Sequence, residues 1–89
     1  MFKKSTRKDK RLMLVLPDKT IHFGSPKGFT YIDGASEIKK QNYLKRHSVN
    51  EDWTTVNAGS LSRYILWNHR DIRKNIKQYL KYFISINAN

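Results

Sequence analysis

His22, His47 and His69 are the histidines of this chain, and they stand far apart. Zinc sites gather His, Cys or carboxylate ligands into clusters, so these histidines are not expected to hold a metal. His47 falls at the end of a helical stretch, where a cation is favoured by the helix dipole. Glu51 and Asp52 are neighbouring carboxylates, a pair that could bind a divalent cation or move a proton. No third carboxylate stands at a matching position, and Lys45, Arg46 and Arg63 are the expected salt partners. Ser60 and Ser62 have no implied His–acid pair to make either one a nucleophile. Gly24-Ser25-Pro26-Lys27-Gly28 is not a phosphate cradle, because Phe29 follows where that motif needs Lys and Ser/Thr opening a helix. No catalytic residue, metal ligand or cofactor is expected, and no enzymatic reaction.

The remaining chemistry is charge and aromatic surface. Lys and Arg number 18 against 7 acidic residues, a formal charge of +11 in 89 residues. Self-repulsion of that size opposes compaction, so a polyanionic partner is the expected reason to keep it. The cations concentrate at two places. Lys3, Lys4, Arg7, Lys8, Lys10 and Arg11 crowd the first eleven residues, with Asp9 alone against them. Arg70, Arg73, Lys74, Lys77 and Lys81 recur near the C-terminus. Phe29 and Tyr31, beside Lys27, are candidates to stack on nucleic-acid bases. Trp53 and Trp67 read as structural anchors.

Positioning these groups calls for one small domain. Apolar residues make up 38% of the chain, below the common globular share of about 45–50%. Eleven aromatic rings, two Trp, five Tyr and four Phe, still argue for a folded core. The absence of cysteine excludes disulfides and suits a reducing compartment. The longest apolar run, Leu12–Leu16, has five residues, where a membrane span needs about 20. No membrane partner is expected.

Residues 1–11 read as a flexible basic arm, since nothing in them is periodic. Leu12–Leu16 and Thr20–Phe23 flank Pro17-Asp18-Lys19 and predict a β-hairpin, with Ile21 and Phe23 on one face and His22 on the other. Phe29–Ile32 is a candidate third strand. Ser36 is a candidate N-cap for a helix to His47. A short helix is predicted over Ser60–Trp67, with Leu61, Tyr64 and Ile65 on one face. Asn68 and Asp71 resemble a capping box for a last helix from about His69 to Phe83. Its apolar stripe is Ile72, Ile76, Tyr79, Leu80 and Phe83, with the cationic stripe opposite. The expected fold class is α+β, an N-terminal hairpin packed on about three helices over residues 12–84, with residues 85–89 frayed.

Several short blocks then form a pattern: Thr20-Ile21-His22-Phe23-Gly24, Tyr43 with Arg46-His47, Glu51-Asp52-Trp53, and Ala58-Gly59-Ser60-Leu61-Ser62-Arg63-Tyr64-Ile65-Leu66-Trp67-Asn68. The pattern resembles a small domain family of unknown function from large nucleocytoplasmic DNA viruses, and it spans roughly residues 12–83. The resemblance implies a viral origin and no particular activity. Residues 28–36 depart from the family by being shorter and less charged, so the resemblance implies no role for that loop. The leading expectation is a non-enzymatic viral protein that binds DNA or another polyanion through the arm and the last helix. The alternative is a minor virion protein cementing acidic surfaces of larger structural proteins. A metal-dependent nuclease built on Glu51, Asp52 and a histidine is the remote third. The expected location is the cytoplasm or nucleus of an infected host, and the virion.

Overall fold

The fold is described from a computed structural model, in which residues 1–84 are placed; the frayed tail expected at 85–89 lies outside the described residues. The architecture is α+β: a three-stranded antiparallel sheet and three helices.

The hairpin forms where its turn residues place it. β2 (Leu12–Val15) pairs antiparallel with β3 (Thr20–Phe23), Leu14 opposite Ile21 and Leu12 opposite Phe23. Leu16 N–H donates to the Lys19 carbonyl at 2.8 Å and closes the turn. Strand alternation then sends Leu14 and Phe23 into the core, both fully buried.

The third strand is not at Phe29–Ile32. It is β1 (Phe2–Lys4), at the sheet edge beside β2, with Phe2 opposite Leu14 and Lys4 opposite Leu12. The stretch expected to be a flexible arm is therefore a strand and a turn. A strand here needs only one inward apolar side chain, and Phe2 supplies it: its ring meets Phe23 and Tyr79 edge-on, each at 6.3 Å between centroids. The lysines suit an edge, where charge discourages another chain from adding to the sheet. The turn back to β2 is held by Ser5 N–H on the Arg11 carbonyl and by the Arg7 guanidinium on Asp9.

Tyr31–Asp33 forms a 3-10 turn in place of the candidate strand. The Asp33 carboxylate explains this, because it accepts from both Thr30 N–H (2.9 Å) and the Thr30 hydroxyl (2.7 Å). Such local side-chain bonds compete with a strand ladder. Gly34 ends the turn at φ +110°, a conformation that favours glycine.

α1 (Glu37–Ser48) starts where predicted, with Ser36 Oγ accepting from Lys39 N–H at 3.1 Å. Tyr43 is its one buried residue, as befits a helix without a clean apolar stripe. α2 (Ala58–Leu61) begins two residues earlier than expected. Asn57 Oδ1 accepts from Ser60 N–H while Ser60 Oγ accepts from Asn57 N–H, a reciprocal cap. The helix then widens into a π-helical turn, Ser62–Leu66. Leu61, Ile65 and Leu66 are buried there, with Tyr64 half-buried.

α3 (Ile72–Tyr79) is shorter than predicted and runs on into a second π-helical turn, Leu80–Ile84. The expected Asn68–Asp71 box does not form; Asp71 itself is the N-cap, accepting from Arg73 N–H at 2.9 Å. Of the predicted stripe, Tyr79 is buried, and Ile72, Ile76 and Phe83 pack on the core, while Leu80 is exposed. The stripe also contains Asn75, fully buried.

The core proper is Leu14, Phe23, Leu61, Ile65, Leu66 and Tyr79. Gly24 lets the chain leave β3 across it. At φ +80°, it sits where an added Cβ would come within 2.9 Å of Leu66 Cδ1 and 3.3 Å of Arg11 Cβ. No helix among the described residues is long and apolar enough to cross a membrane.

Candidate nucleic-acid interface

The cations predicted to bind a polyanion divide into two kinds. Lys3 and Lys4 are exposed on β1, and Lys8 is exposed in the turn after it. Arg73, Lys74 and Lys77 are exposed on α3, and Lys81 is exposed in the π-helical turn beyond, its Nζ 5.7 Å from the Tyr82 ring centre. Lys10 is half-buried and lines a cavity of about 380 Å³. The Phe2–Tyr79 contact makes β1 and α3 neighbours, so the two cationic segments belong to one body.

Three of the predicted site residues have partners within the fold. Arg7 pairs with Asp9. Arg11 makes a two-pronged pair with Asp33, Nη1 to Oδ2 at 2.7 Å and Nη2 to Oδ1 at 2.6 Å, a geometry suited to guanidinium. Arg70 lies over the Tyr31 ring at 4.0 Å and donates to the Tyr31 carbonyl. Lys40 Nζ also approaches that ring, at 4.6 Å, so Tyr31 is occupied by intramolecular cations.

The Arg11 guanidinium, helped by Thr30, holds the Asp33 carboxyl far below the usual carboxylate range. A carboxyl lowered in the folded state stabilises above its unfolded value, about 3.9 for Asp, and loses that contribution as pH falls through the folded value. Asp33→Asn is expected to lower the urea midpoint at pH 7. Its deficit relative to the parent should shrink as pH is taken from about 4 toward 2; a deficit that does not change with pH would show the pair to be inert.

Glu51 and Asp52 do not pair with Lys45, Arg46 or Arg63 as expected. Glu51 Oε2 meets His47 Nδ1 at 2.6 Å, and Oε1 accepts from Trp53 Nε1–H at 2.9 Å. Asp52 accepts from Thr54 and Thr55. The physical reason is reach: the turn after α1 brings Glu51 back to His47 one helical turn away. Among the described residues no three His, Asp or Glu side chains gather where they could hold a metal ion.

His47 belongs to a chain of rings. Its imidazole stacks on Tyr43 at 4.2 Å, and Tyr43 stacks on Trp67 at 4.4 Å with planes 9° apart. Burial first, and Glu51 second, push the Tyr43 phenol well up from its ordinary range. Trp53, tied to His47 through Glu51, has the Arg63 guanidinium 5.4 Å from its ring centre, and the same guanidinium lies 4.8 Å from the Tyr64 ring centre. Gly59 permits the approach of Glu51, since a Cβ there would stand 3.1 Å from Oε1. Tyr43, His47, Glu51, Trp53, Gly59, Arg63 and Trp67, scattered through the sequence, are thus linked in space. Trp53 is half-buried and tied to Glu51 through its indole N–H. Trp67, half-buried like Trp53, packs against the core cluster.

Trp67 faces a feature that sequence reasoning missed. With Phe29 it lines a cleft of about 570 Å³, whose other walls are Lys39, Asn42, Lys45 and Arg46. Phe29 is 57% exposed, with Lys39 Nζ 5.9 Å from its ring centre. Three cations, an amide and two aromatic rings line the cleft, and no carboxylate does. The helical spacing of Lys39, Asn42, Tyr43 and Arg46 places them on one side of α1, a signal that could have identified this face from sequence.

No curated protein and no solved structure matches the chain. A family model described as a family of unknown function matches residues 1–47, the part that holds the sheet and α1 through His47. That match covers more than half of the sequence, and the chain belongs to this family, DUF5754.

Proposed function

We propose that the protein is a non-enzymatic binder of DNA or another polyanion, acting through β1, the turn after it and α3. The observation that carries this reading is how the carboxylates are used. Asp9 and Asp33 pair with Arg7 and Arg11. Asp71 caps α3, Asp52 binds threonine hydroxyls, Glu37 accepts from Gln41 and Tyr31, and Glu51 is taken by His47 and Trp53. The acidic residues thus go chiefly to local structure, and the positive surplus faces solvent on Lys3, Lys4, Lys8, Arg73, Lys74 and Lys77. The resemblance to a viral family makes the viral genome the polyanion in view, met in the infected host's cytoplasm or nucleus or within the virion.

Phosphate contacts position a protein without reading sequence, so little base preference is expected on duplex DNA. With about six phosphate contacts, log affinity should fall against log salt with a slope of about −5. Lys74→Ala with Lys77→Ala should flatten that slope by about 2 and leave the melting temperature near the parent's, because both side chains are exposed. Anisotropy of a labelled duplex across a salt series reads both quantities. A flat response in the parent protein overturns the proposal. Early melting of the double variant with unchanged affinity would instead assign those lysines to the fold.

A further inference from the structure

We propose that the cleft between Phe29 and Trp67 receives an unpaired base of a single-stranded nucleic acid, with Lys39, Lys45 and Arg46 on the neighbouring phosphates. This deepens the polyanion reading and rests on it, but uses a different surface from α3. The argument begins with Phe29. A phenyl ring 57% exposed at the mouth of a charged cleft gains little from the fold itself. Trp67 offers a second aromatic wall, fixed by its stack on Tyr43, which His47 supports from behind. A ring held in this way is a pre-set platform, and base–aromatic stacking is indifferent to which base arrives.

The cations decide between candidate occupants. Lys39 and Arg46 are about 10 Å apart along α1 at 1.5 Å per residue, longer than one phosphate requires, so a strand fits better than a free nucleotide. The lining holds no carboxylate to repel it. A duplex cannot use the aromatic walls, because its bases are already stacked and paired. An acidic peptide would use the cations but leave the rings idle. Only an unpaired nucleotide engages both, and the Asn42 amide offers it a donor and an acceptor.

The test compares a labelled 12-nucleotide single strand with the matching duplex at one salt concentration. Phe29→Ala is expected to weaken the single strand about 5- to 150-fold, the range of base–aromatic stacking, and to change duplex affinity less than about 2-fold. Lys39→Ala with Arg46→Ala supplies a second variant that leaves the rings in place, and it should flatten the single strand's salt slope. A circular-dichroism melt confirms that each variant folds. If Phe29→Ala weakens neither probe while the parent binds both with a steep salt slope, this proposal is overturned and the polyanion reading stands. If the parent binds neither, the broader reading fails as well. A free mononucleotide that competes at equal affinity, or a phosphoserine peptide that alone shows the Phe29→Ala loss, would overturn the assignment to a strand.

Discussion

Asn75→Asp should destabilise the protein by about 3–5 kcal/mol, the usual cost of leaving a buried charge uncompensated. Asn75 is fully buried on α3. Its Nδ2 donates to the Ile65 and His69 carbonyls, each at 2.8 Å, and its Oδ1 accepts from His69 N–H at 3.0 Å. One amide therefore ties the end of the π-helical turn to the segment that leads into α3. Aspartate keeps the acceptor, loses both donors and sets a charged oxygen against two carbonyls. Asn75→Ala strands the same backbone groups without adding charge, at about 1–3 kcal/mol for each that water does not reach. Since domains of this size hold roughly 5–15 kcal/mol in all, the aspartate variant should be partly unfolded under mild conditions. Urea unfolding followed by circular dichroism ranks the two. A variant within 1 kcal/mol of the parent, on the scale of an ordinary hydrogen bond, would mean that the clamp does not hold this junction.

Tyr79 presents a different kind of loss. It is buried at the centre of the core, stacked on Phe83 at 4.3 Å and approached edge-on by Phe2. Its hydroxyl meets Ser60 Oγ at 2.7 Å. Tyr79→Ala should cost about 3–5 kcal/mol, as deletion of a buried ring does, and should loosen β1 because Phe2 loses a partner. Tyr79→Phe should cost only about 1 kcal/mol, since Ser60 keeps its bonds to Asn57. A melting-temperature drop of about 4–8 °C per kcal/mol is expected for a domain of this length. Equal effects from the two variants would show that the hydroxyl, not the ring, matters here.

What the sequence revealed follows the reach of each interaction. The β2–β3 hairpin and the Ser36 cap were legible because their determinants lie within a few residues of one another. The 3-10 turn at Tyr31–Asp33 is local too, but its Asp33-Gly34 signal is masked by the aromatic run before it, whose side chains favour a strand. β1 was hidden because its partners are distant and its exposed side chains are lysines, which speak against a strand except at an edge. The π-helical turn at Ser62–Leu66 departs from the 3.6-residue period on which helix reading depends. The α3 stripe was visible, but not the role of Asn75, which looks like an intruder in it until its three backbone bonds are seen. For the candidate site, charge alone marked α3 and the first eleven residues. It could not say that Arg7, Arg11 and Arg70 are taken up internally, nor that the α1 cations share a cleft with Phe29 and Trp67.

The Phe2–Tyr79 contact joins side chains from near opposite ends of the chain, and it sets an order of assembly. The three strands can pair once Phe23 has been synthesised, and Leu61, Ile65 and Leu66 can then cover part of their inner face, but the core is not closed until Tyr79 arrives. Contacts of such long sequence separation form late, after intervening loops have closed. A nascent molecule therefore lacks the ring that covers Phe2 while it waits, and the exposed lysines of the first strand then help to keep neighbouring nascent chains apart.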